Sequence, residues 1–334
     1  MERKTPIFRK ELTLKNKANL IGLFISLAAI GYVLVKLDWQ AVYKTFTTIE
    51  LHWLVAAFCV YLINYVLRTI RFRILLNLDE IPFQHLFGVT NLYGMYLYLM
   101  PAKSGELSYP ILLKSRLNVP LPESTATLIA ARFFDFATVA LFLPLVLVTF
   151  WDQIHPWVRM GSLLFVMMVF LLGIGLLWLI RNPPRTEKIQ QIKPTSHLVV
   201  IRLWNALAKL MDSMQAIDQR GGYWRLWLLT IAIWICVQTN FYFIVLSLGE
   251  SLTFLQMMAV SIIMVPMTLL PIQGFANLGT HEIGWTAAFA LFGYPAATAL
   301  NIAVSSHIIL LFFVLLLGFL GFVLLRGKPI NQYA

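Results

Sequence analysis

Charged residues are scarce in this chain: Asp, Glu, Lys and Arg together make up 12% of its 334 residues. A soluble domain of average composition contains about 25% charged residues, roughly twice that fraction. Apolar residue types instead make up 59% of the chain, and the mean hydropathy is +0.76. This balance excludes a water-soluble globular protein. It predicts an all-α polytopic membrane protein with a single integral membrane domain over residues 1–334.

Cysteine and enzyme motifs are also scarce. The two cysteines, Cys59 and Cys236, each lie within an apolar segment, which predicts two buried small side chains rather than a disulfide or a metal site. The chain has no Walker lysine loop, no paired-aspartate nucleotide-sugar motif, no Gly-x-Ser-x-Gly and no His/Cys cluster at metal spacing. We therefore expect no cofactor, no metal and no enzyme, with a lipid-modifying enzyme that lacks these motifs kept as an alternative.

The excess of positive charge follows the pattern of membrane topology. The net charge is +11, but the basic residues cluster beside the apolar runs and form no stripe that would indicate nucleic-acid binding. Six Lys and Arg precede the first run, eight lie between residues 181 and 225, and Arg68, Arg71 and Arg73 are interpreted as following the second run. This positive-inside pattern predicts cytoplasmic N- and C-termini, and the first run predicts a retained signal anchor. The same basic rims are suited to anionic lipid headgroups.

Long apolar runs predict six full transmembrane helices, and two further apolar regions predict broken, re-entrant helix pairs. In each broken pair a run of about 18 residues meets a Pro/Gly-containing break and then a run of about 10, which at ~15 Å is too short to span the bilayer. The crossings are expected near residues 20–36, 51–72, 125–150, 159–180, 225–248 and 297–325, and the broken pairs near 83–113 and 252–292.

The order of these segments predicts an inverted repeat. Helix, long limb, break, short limb and helix follow each other over residues 51–150 and again over residues 225–325. An odd number of crossings links the two, so their orientations are opposite. Residues 181–224 form the cytoplasmic linker, and an amphipathic pattern over residues 197–219 predicts an interfacial helix there. Inverted repeats with broken helices are how many transporters form a site near the membrane midplane.

Three carboxylates lie at membrane depth: Glu106, Asp135 and Glu282. Each costs roughly 2.5 to 3.5 kcal/mol near the bilayer centre on insertion scales, so such residues rarely persist without a polar environment. Glu106 ends the break Pro101-Ala-Lys-Ser-Gly-Glu106, and Glu282 ends the break that begins at Pro271. Each is suited either to capping the short limb or to binding substrate or a proton.

Arg132 and Asp135 are three residues apart on one predicted helix, so they either neutralise each other or contribute to a polar cavity. Arginine suits bidentate capture of a phosphate. We therefore predict a headgroup site in which Arg132 holds phosphate and Lys103 assists. The other predicted substrate-binding residues are Glu106, Asp135, Glu282, Asn91 and Tyr96. Glu106, Asp135, Glu282 and His281 are candidates for proton or ion coupling, although a lone histidine such as His281 is more often structural.

At these residues the chain resembles the lysylphosphatidylglycerol synthase membrane-domain family, also described as flippase-like integral membrane proteins. The resemblance rests on Arg71-Phe-Arg-Ile-Leu-Leu, on Asn91 with Pro101 to Glu106, on Arg132 with Asp135, and on Pro271, Gly274, Leu278-Gly279 and Glu282. It covers the membrane part only, and no soluble synthase domain is expected. The break before Glu282 is one residue longer than the family pattern and lacks its second Pro and adjacent glycines.

The resemblance implies a lipid flippase or transporter in a bacterial or archaeal cytoplasmic (inner) membrane. Its substrate is expected to be a lipid with a charged or glycosylated headgroup, either an anionic phospholipid or a polyprenyl-phosphate lipid. Two alternatives stay open: an intramembrane enzyme that modifies a lipid-linked substrate through Glu106 or Asp135, and a non-catalytic membrane scaffold. Membrane lipids are the expected partners, nucleic acid is not, and a homo-oligomer is compatible with each hypothesis.

Overall fold

The computed structural model describes residues 31, 35–76, 81–101, 103–181, 222–265 and 274–327. Over these residues every regular element is helical, so the all-α prediction is confirmed. Short 3-10 turns, Ser104–Leu107 and Phe275–Asn277, precede α4 and α9. The helices are α1 (Trp39–Thr47), α2 (Leu51–Leu76), α3 (Phe83–Leu99), α4 (Ser108–Leu117), α5 (Leu121–Thr149), α6 (Pro156–Arg181), α7 (Tyr223–Ser247), α8 (Phe254–Met264), α9 (Thr280–Ala290) and α10 (Ala296–Leu324).

Five of these helices, α2, α5, α6, α7 and α10, are long and apolar enough to cross a membrane. They coincide with five of the six predicted crossings and confirm a multi-pass membrane protein. The sixth predicted crossing, residues 20–36, lies almost wholly outside the described residues, as does the predicted interfacial helix at 197–219. The exposed surface of α6 is lined with large apolar side chains, among them Phe170, Leu171 and Trp178, which are stable when they face lipid.

The first broken pair is an antiparallel hairpin. By helical rise, the 17 residues of α3 span about 26 Å and the 10 residues of α4 about 15 Å, half of a bilayer core of about 30 Å. Gly105 packs directly on the backbone of α3, where a Cβ would stand 2.5 Å from the Leu97 Cα. Lys103 turns the chain with a left-handed backbone, φ 61°. The short limb therefore returns along the face of α3.

The second broken pair is described in part. The structure gives α8 as Phe254–Met264, shorter than the predicted limb 252–270, and residues 266–273 lie outside the description. The short limb α9 packs on both α8 and α10. Its N-terminus is capped by Glu282, whose Oε2 accepts a hydrogen bond from the Gly279 N–H at 2.6 Å.

Helices α2 and α7 cross the centre of the molecule antiparallel, joined by two reciprocal bonds. Asn64 Nδ2 donates to the Ile233 carbonyl at 2.8 Å, and Asn240 Nδ2 donates to the Ala57 carbonyl at 2.8 Å. Each asparagine therefore binds the helix that contains the other. This exchange agrees with two halves of opposite orientation. The inverted repeat of 51–150 and 225–325 stays a prediction because the second break is described only from Gly274.

Two local features differ from the sequence analysis. Cys59 is exposed on α2 and Cys236 is half-buried on α7; both are free thiols, so the prediction of two buried cysteines is wrong for Cys59. Helix α1 was not predicted. It begins at an Asp38 cap, whose carboxylate accepts from the Gln40 and Ala41 N–H groups, and it packs on α10.

Candidate functional site

A polar cavity of about 290 Å³ lies between the first break and helices α2, α5, α7 and α10. Helices α2, α5, α7 and α10 are each long and apolar enough to cross a membrane, so a cluster of charged side chains between them is unusual. The polar side chains that line it include Asn64, Arg68, Lys103, Glu106, Arg132 and Asn277. Elements from both halves of the chain therefore contribute to one cavity.

Arg132 fixes one wall of the cavity. Its Nη2 contacts Glu106 Oε1 at 2.7 Å and donates to the Tyr93 hydroxyl at 2.7 Å. The Tyr93 hydroxyl in turn donates to Glu106 Oε2 at 2.8 Å, so both oxygens of this carboxylate are engaged. Glu106 therefore does not cap the short limb; it ties the break to α5.

Asp135 lies behind this wall, and its principal partner is Arg71. Arg71 Nη1 donates to Asp135 Oδ1 at 2.6 Å and Nη2 to Oδ2 at 3.4 Å, with both side chains almost fully buried. Arg132 Nη1 reaches Asp135 Oδ2 only at 3.4 Å. The intrahelical pair of Arg132 and Asp135 is thus the weaker contact within a larger network that joins α2, α5 and the first break.

This network corrects the interpretation of the arginines near residue 70. Helix α2 continues to Leu76, so Arg68, Arg71 and Arg73 lie within it and do not follow it. Arg71 is 1% exposed and Arg68 lines the cavity, so these two are not rim charges. The signal that identifies them is the apolar sequence that continues past them: Ile70, Phe72 and Ile74 extend the run.

Among the described residues, Arg68 has a single hydrogen-bond partner. Its Nε donates to Asn64 Oδ1 at 2.7 Å, and the same asparagine is anchored to α7 through Ile233. The guanidinium also lies 5.9 Å from the centre of the Tyr65 ring. Gly94 of α3 packs directly on the Tyr65 side chain, because a Cβ there would stand 2.1 Å from the Tyr65 hydroxyl oxygen.

A second polar group, buried at the other break, joins Glu282 to His307 of α10. Glu282 Oε1 contacts His307 Nδ1, and His307 Nε2 lies 2.9 Å from the Ala276 carbonyl oxygen. A carbonyl only accepts hydrogen bonds, so Nε2 donates to it and Nδ1 is left to contact the carboxylate. His307, which was not among the predicted site residues, is thus the partner of Glu282.

The remaining predicted residues lie outside the cavity lining. Asn91 is 1% exposed on α3, and neither polar atom of its amide has a partner among the described residues. Tyr96 is half-buried against the first break, where its carbonyl accepts from Met100. His281 stacks on Trp285 with ring centres 4.6 Å apart and lies 4.5 Å from the His307 ring, and it makes no hydrogen bond or ion pair with Glu282.

Comparison with known families shows where this chain belongs. The profile of the family described as lysylphosphatidylglycerol synthase TM region matches residues 19–318, which include both breaks and the cavity between them. The chain belongs to this family. No curated protein and no solved structure matches the chain.

Membership in the lysylphosphatidylglycerol synthase membrane-region family confirms the resemblance drawn from the sequence. It indicates a function related to membrane lipids. Of the residues on which the resemblance rests, Arg71, Glu106, Arg132 and Asp135 meet in one network, and Glu282 lies at the second break. The family motifs therefore coincide with the buried polar contacts of the fold.

Proposed function

We propose that the protein moves a lipid with a charged headgroup between the two leaflets of a bacterial or archaeal inner membrane. The observation that supports this proposal is the cavity of about 290 Å³ that three cationic side chains and Glu106 line within otherwise apolar helices. A polar cavity at this depth is suited to a headgroup, while the hydrocarbon chains stay in the bilayer. The protein is then a transporter and not an enzyme.

The charge of the cavity favours an anionic headgroup, as in a phospholipid or a polyprenyl-phosphate lipid. Arg68, Lys103 and Arg132 face a single carboxylate, Glu106, within this lining. Asp135 adds no net charge because Arg71 neutralises it. Uncompensated positive charge at low dielectric attracts an anion strongly.

The Glu282–His307 pair is our candidate for proton coupling. Glu106 and Asp135 are each paired with an arginine. Glu282 instead contacts a ring nitrogen of His307, and His281 and the Tyr98 ring pack against that histidine. In our proposal, loss or gain of a proton at this contact changes how α10 meets the second break, so a pH gradient biases the two arrangements.

The test is movement of labelled lipid in liposomes that contain the purified full chain. Fluorescent anionic phospholipid and polyprenyl phosphate are placed in one leaflet, and their sidedness is followed with a membrane-impermeant quencher, with and without a pH gradient. We expect faster exchange than in protein-free liposomes and a loss of exchange in Arg132→Gln. Unchanged sidedness of every lipid would overturn the proposal, and a chemically altered lipid would favour the enzyme alternative.

A further inference from the structure

The two arginines of the cavity differ in how many of their donors are already used. Arg132 donates to Glu106, Tyr93 and Asp135 through its two terminal nitrogens. Arg68 uses only Nε, which donates to Asn64, and neither terminal nitrogen donates to any atom in the part of the chain that the structure describes. Arg68 therefore has the free edge of its guanidinium available to a ligand.

The Asn64 bond orients that free edge. Asn64 is 3% exposed and is fixed by its bond to the Ile233 carbonyl of α7, so its Oδ1 holds Arg68 Nε in place. A guanidinium held at Nε presents its two terminal nitrogens side by side, the geometry that binds two oxygens of one phosphate. The arrangement is preorganised, which lowers the entropy lost when a ligand binds.

Lys103 supplies a second free cation in the same cavity. It is half-buried at the first break and takes a left-handed backbone conformation, φ 61°. Its ammonium group makes no ion pair or hydrogen bond with the residues that the structure describes. An ammonium provides three donors, so Arg68 and Lys103 together offer more donors than one carboxylate accepts.

The net charge of the cavity distinguishes between two kinds of phosphate. Three cations and one carboxylate line it, which leaves an excess of two positive charges. A phosphodiester bears a single negative charge, whereas a phosphate monoester bears about −1.5 to −2 at pH 7 and has three acceptor oxygens. A monoester therefore balances both the charge and the free donors.

We infer that Arg68 and Lys103 bind the terminal phosphate monoester of a lipid, and that Arg132 is a positioning residue that holds Glu106 and the break. This inference rests on the proposed function and gives its substrate class. A lipid that ends in a phosphate monoester, such as a phosphatidic acid or a polyprenyl monophosphate, is preferred over a phosphodiester lipid.

The test is calorimetric titration of the full chain, purified in detergent at pH 8, with three probes: short-chain phosphatidic acid, short-chain phosphatidylglycerol and inorganic phosphate. We expect phosphatidic acid to bind at least about 10-fold more tightly than phosphatidylglycerol. Arg68→Gln should weaken phosphatidic acid binding by about 10- to 100-fold, the usual effect of losing a charge-assisted hydrogen bond, and remove the preference. Arg68→Lys keeps the charge without the paired donors and should give an intermediate loss.

Arg225→Gln is the matched control because it makes the same chemical change on an exposed arginine outside the cavity lining. It should leave all three affinities unchanged, and size-exclusion profiles check that each variant folds. Equal affinity for the two lipids, or no effect of Arg68→Gln, would overturn the inference. So would inorganic phosphate that binds as tightly as phosphatidic acid, which would assign the site to the free anion.

Binding and movement are separate readouts. If liposomes that contain the wild-type chain exchange phosphatidylglycerol while Arg68→Gln changes neither binding nor exchange, the inference fails and the proposed function stands. If phosphatidic acid binds with the expected dependence on Arg68 but no lipid changes leaflet, the proposed function fails and the phosphate site stands.

Discussion

At the scale of single residues, the buried pair of Arg71 and Asp135 is the contact whose loss should harm the protein most. Both side chains are almost fully buried and share two hydrogen bonds. Removing one partner leaves an uncompensated charge, so Asp135→Asn and Arg71→Met should each lower the free energy of unfolding by about 3 to 5 kcal/mol. Thermal unfolding of the purified variants in detergent provides the measurement.

A double variant measures how much the interaction between Arg71 and Asp135 itself contributes to stability. Arg71→Met with Asp135→Asn removes both charges, so this double variant should be clearly more stable than the sum of the two single losses predicts. Additive losses in this cycle would show that the two side chains act independently. In that case the bonds between Arg71 and Asp135 would not explain their burial.

Glu282 allows its capping and proton roles to be separated. Gln has an oxygen that accepts from the Gly279 N–H and an amide that donates to His307 Nδ1, so Glu282→Gln should fold with little loss of stability. Glu282→Ala removes the cap and should lose about 1 to 3 kcal/mol. Transport by the Gln variant should no longer respond to a pH gradient in the liposome assay. A wild-type pH response in this variant would exclude Glu282 as the coupling residue.

At the scale of elements, Gly105 determines whether the short limb α4 lies on α3. A Cβ at Gly105 would overlap backbone atoms of Tyr96 and Leu97, and backbone cannot rotate away as a side chain does. Gly105→Ala should therefore destabilise the protein by about 1 to 3 kcal/mol and displace Glu106 from Arg132. Gly161→Ala on α6 is the control, since a Cβ there meets no atom within 4 Å. Equal thermal stability of the two variants would contradict the close packing of this limb.

Helix positions were predictable from the sequence, whereas the partners of the charged residues were not. An apolar run of bilayer length gives a crossing by itself, so α5 and α10 begin and end close to their predicted positions. A pairing such as Arg71 with Asp135 joins residues 64 positions apart, and no local spacing encodes it. The contact of Arg132 with Asp135 was predicted because these residues are only three positions apart. In the fold this contact, at 3.4 Å, is longer than that of Arg71 with Asp135, at 2.6 Å.

The burial of Arg68 and Arg71 within α2 was not predicted, for a related reason. A charge at the end of an apolar run predicts the membrane boundary, and Arg68 was assigned to the boundary on that basis. In the fold, buried polar partners such as Asp135 bind these charges, and the helix continues through Arg71 to Leu76. Only the tertiary partner distinguishes a boundary arginine from a buried one.

At the scale of the whole molecule, contacts between helix ends place the described loops on two opposite faces. The Glu50 N–H donates to the Ser247 carbonyl, which places the start of α2 beside the end of α7. On the opposite face Arg116 Nη1 donates to the Leu325 carbonyl, which joins the end of α4 to the end of α10. The first face has Glu50, Asp152 and Glu250 together with Lys44 and Arg159, whereas the second has Lys114, Arg116, Arg225 and Arg326 together with Glu123 and is therefore the more basic. The basic face is the one that the positive-inside pattern predicts to be cytoplasmic.

Cysteine labelling in intact cells tests this orientation. In a background of Cys59→Ser and Cys236→Ser, Ser251→Cys lies on the face that contains Glu50 and Glu250, Ser115→Cys lies on the basic face, and both positions are exposed. An impermeant maleimide should label Ser251→Cys from outside, and should label Ser115→Cys only after the inner membrane is permeabilised. The cysteine-free background should show no signal. Because the two positions lie on opposite faces, the reverse labelling pattern would show the opposite orientation in the membrane. Labelling of both positions from outside would contradict the crossing of the membrane by the helices between them.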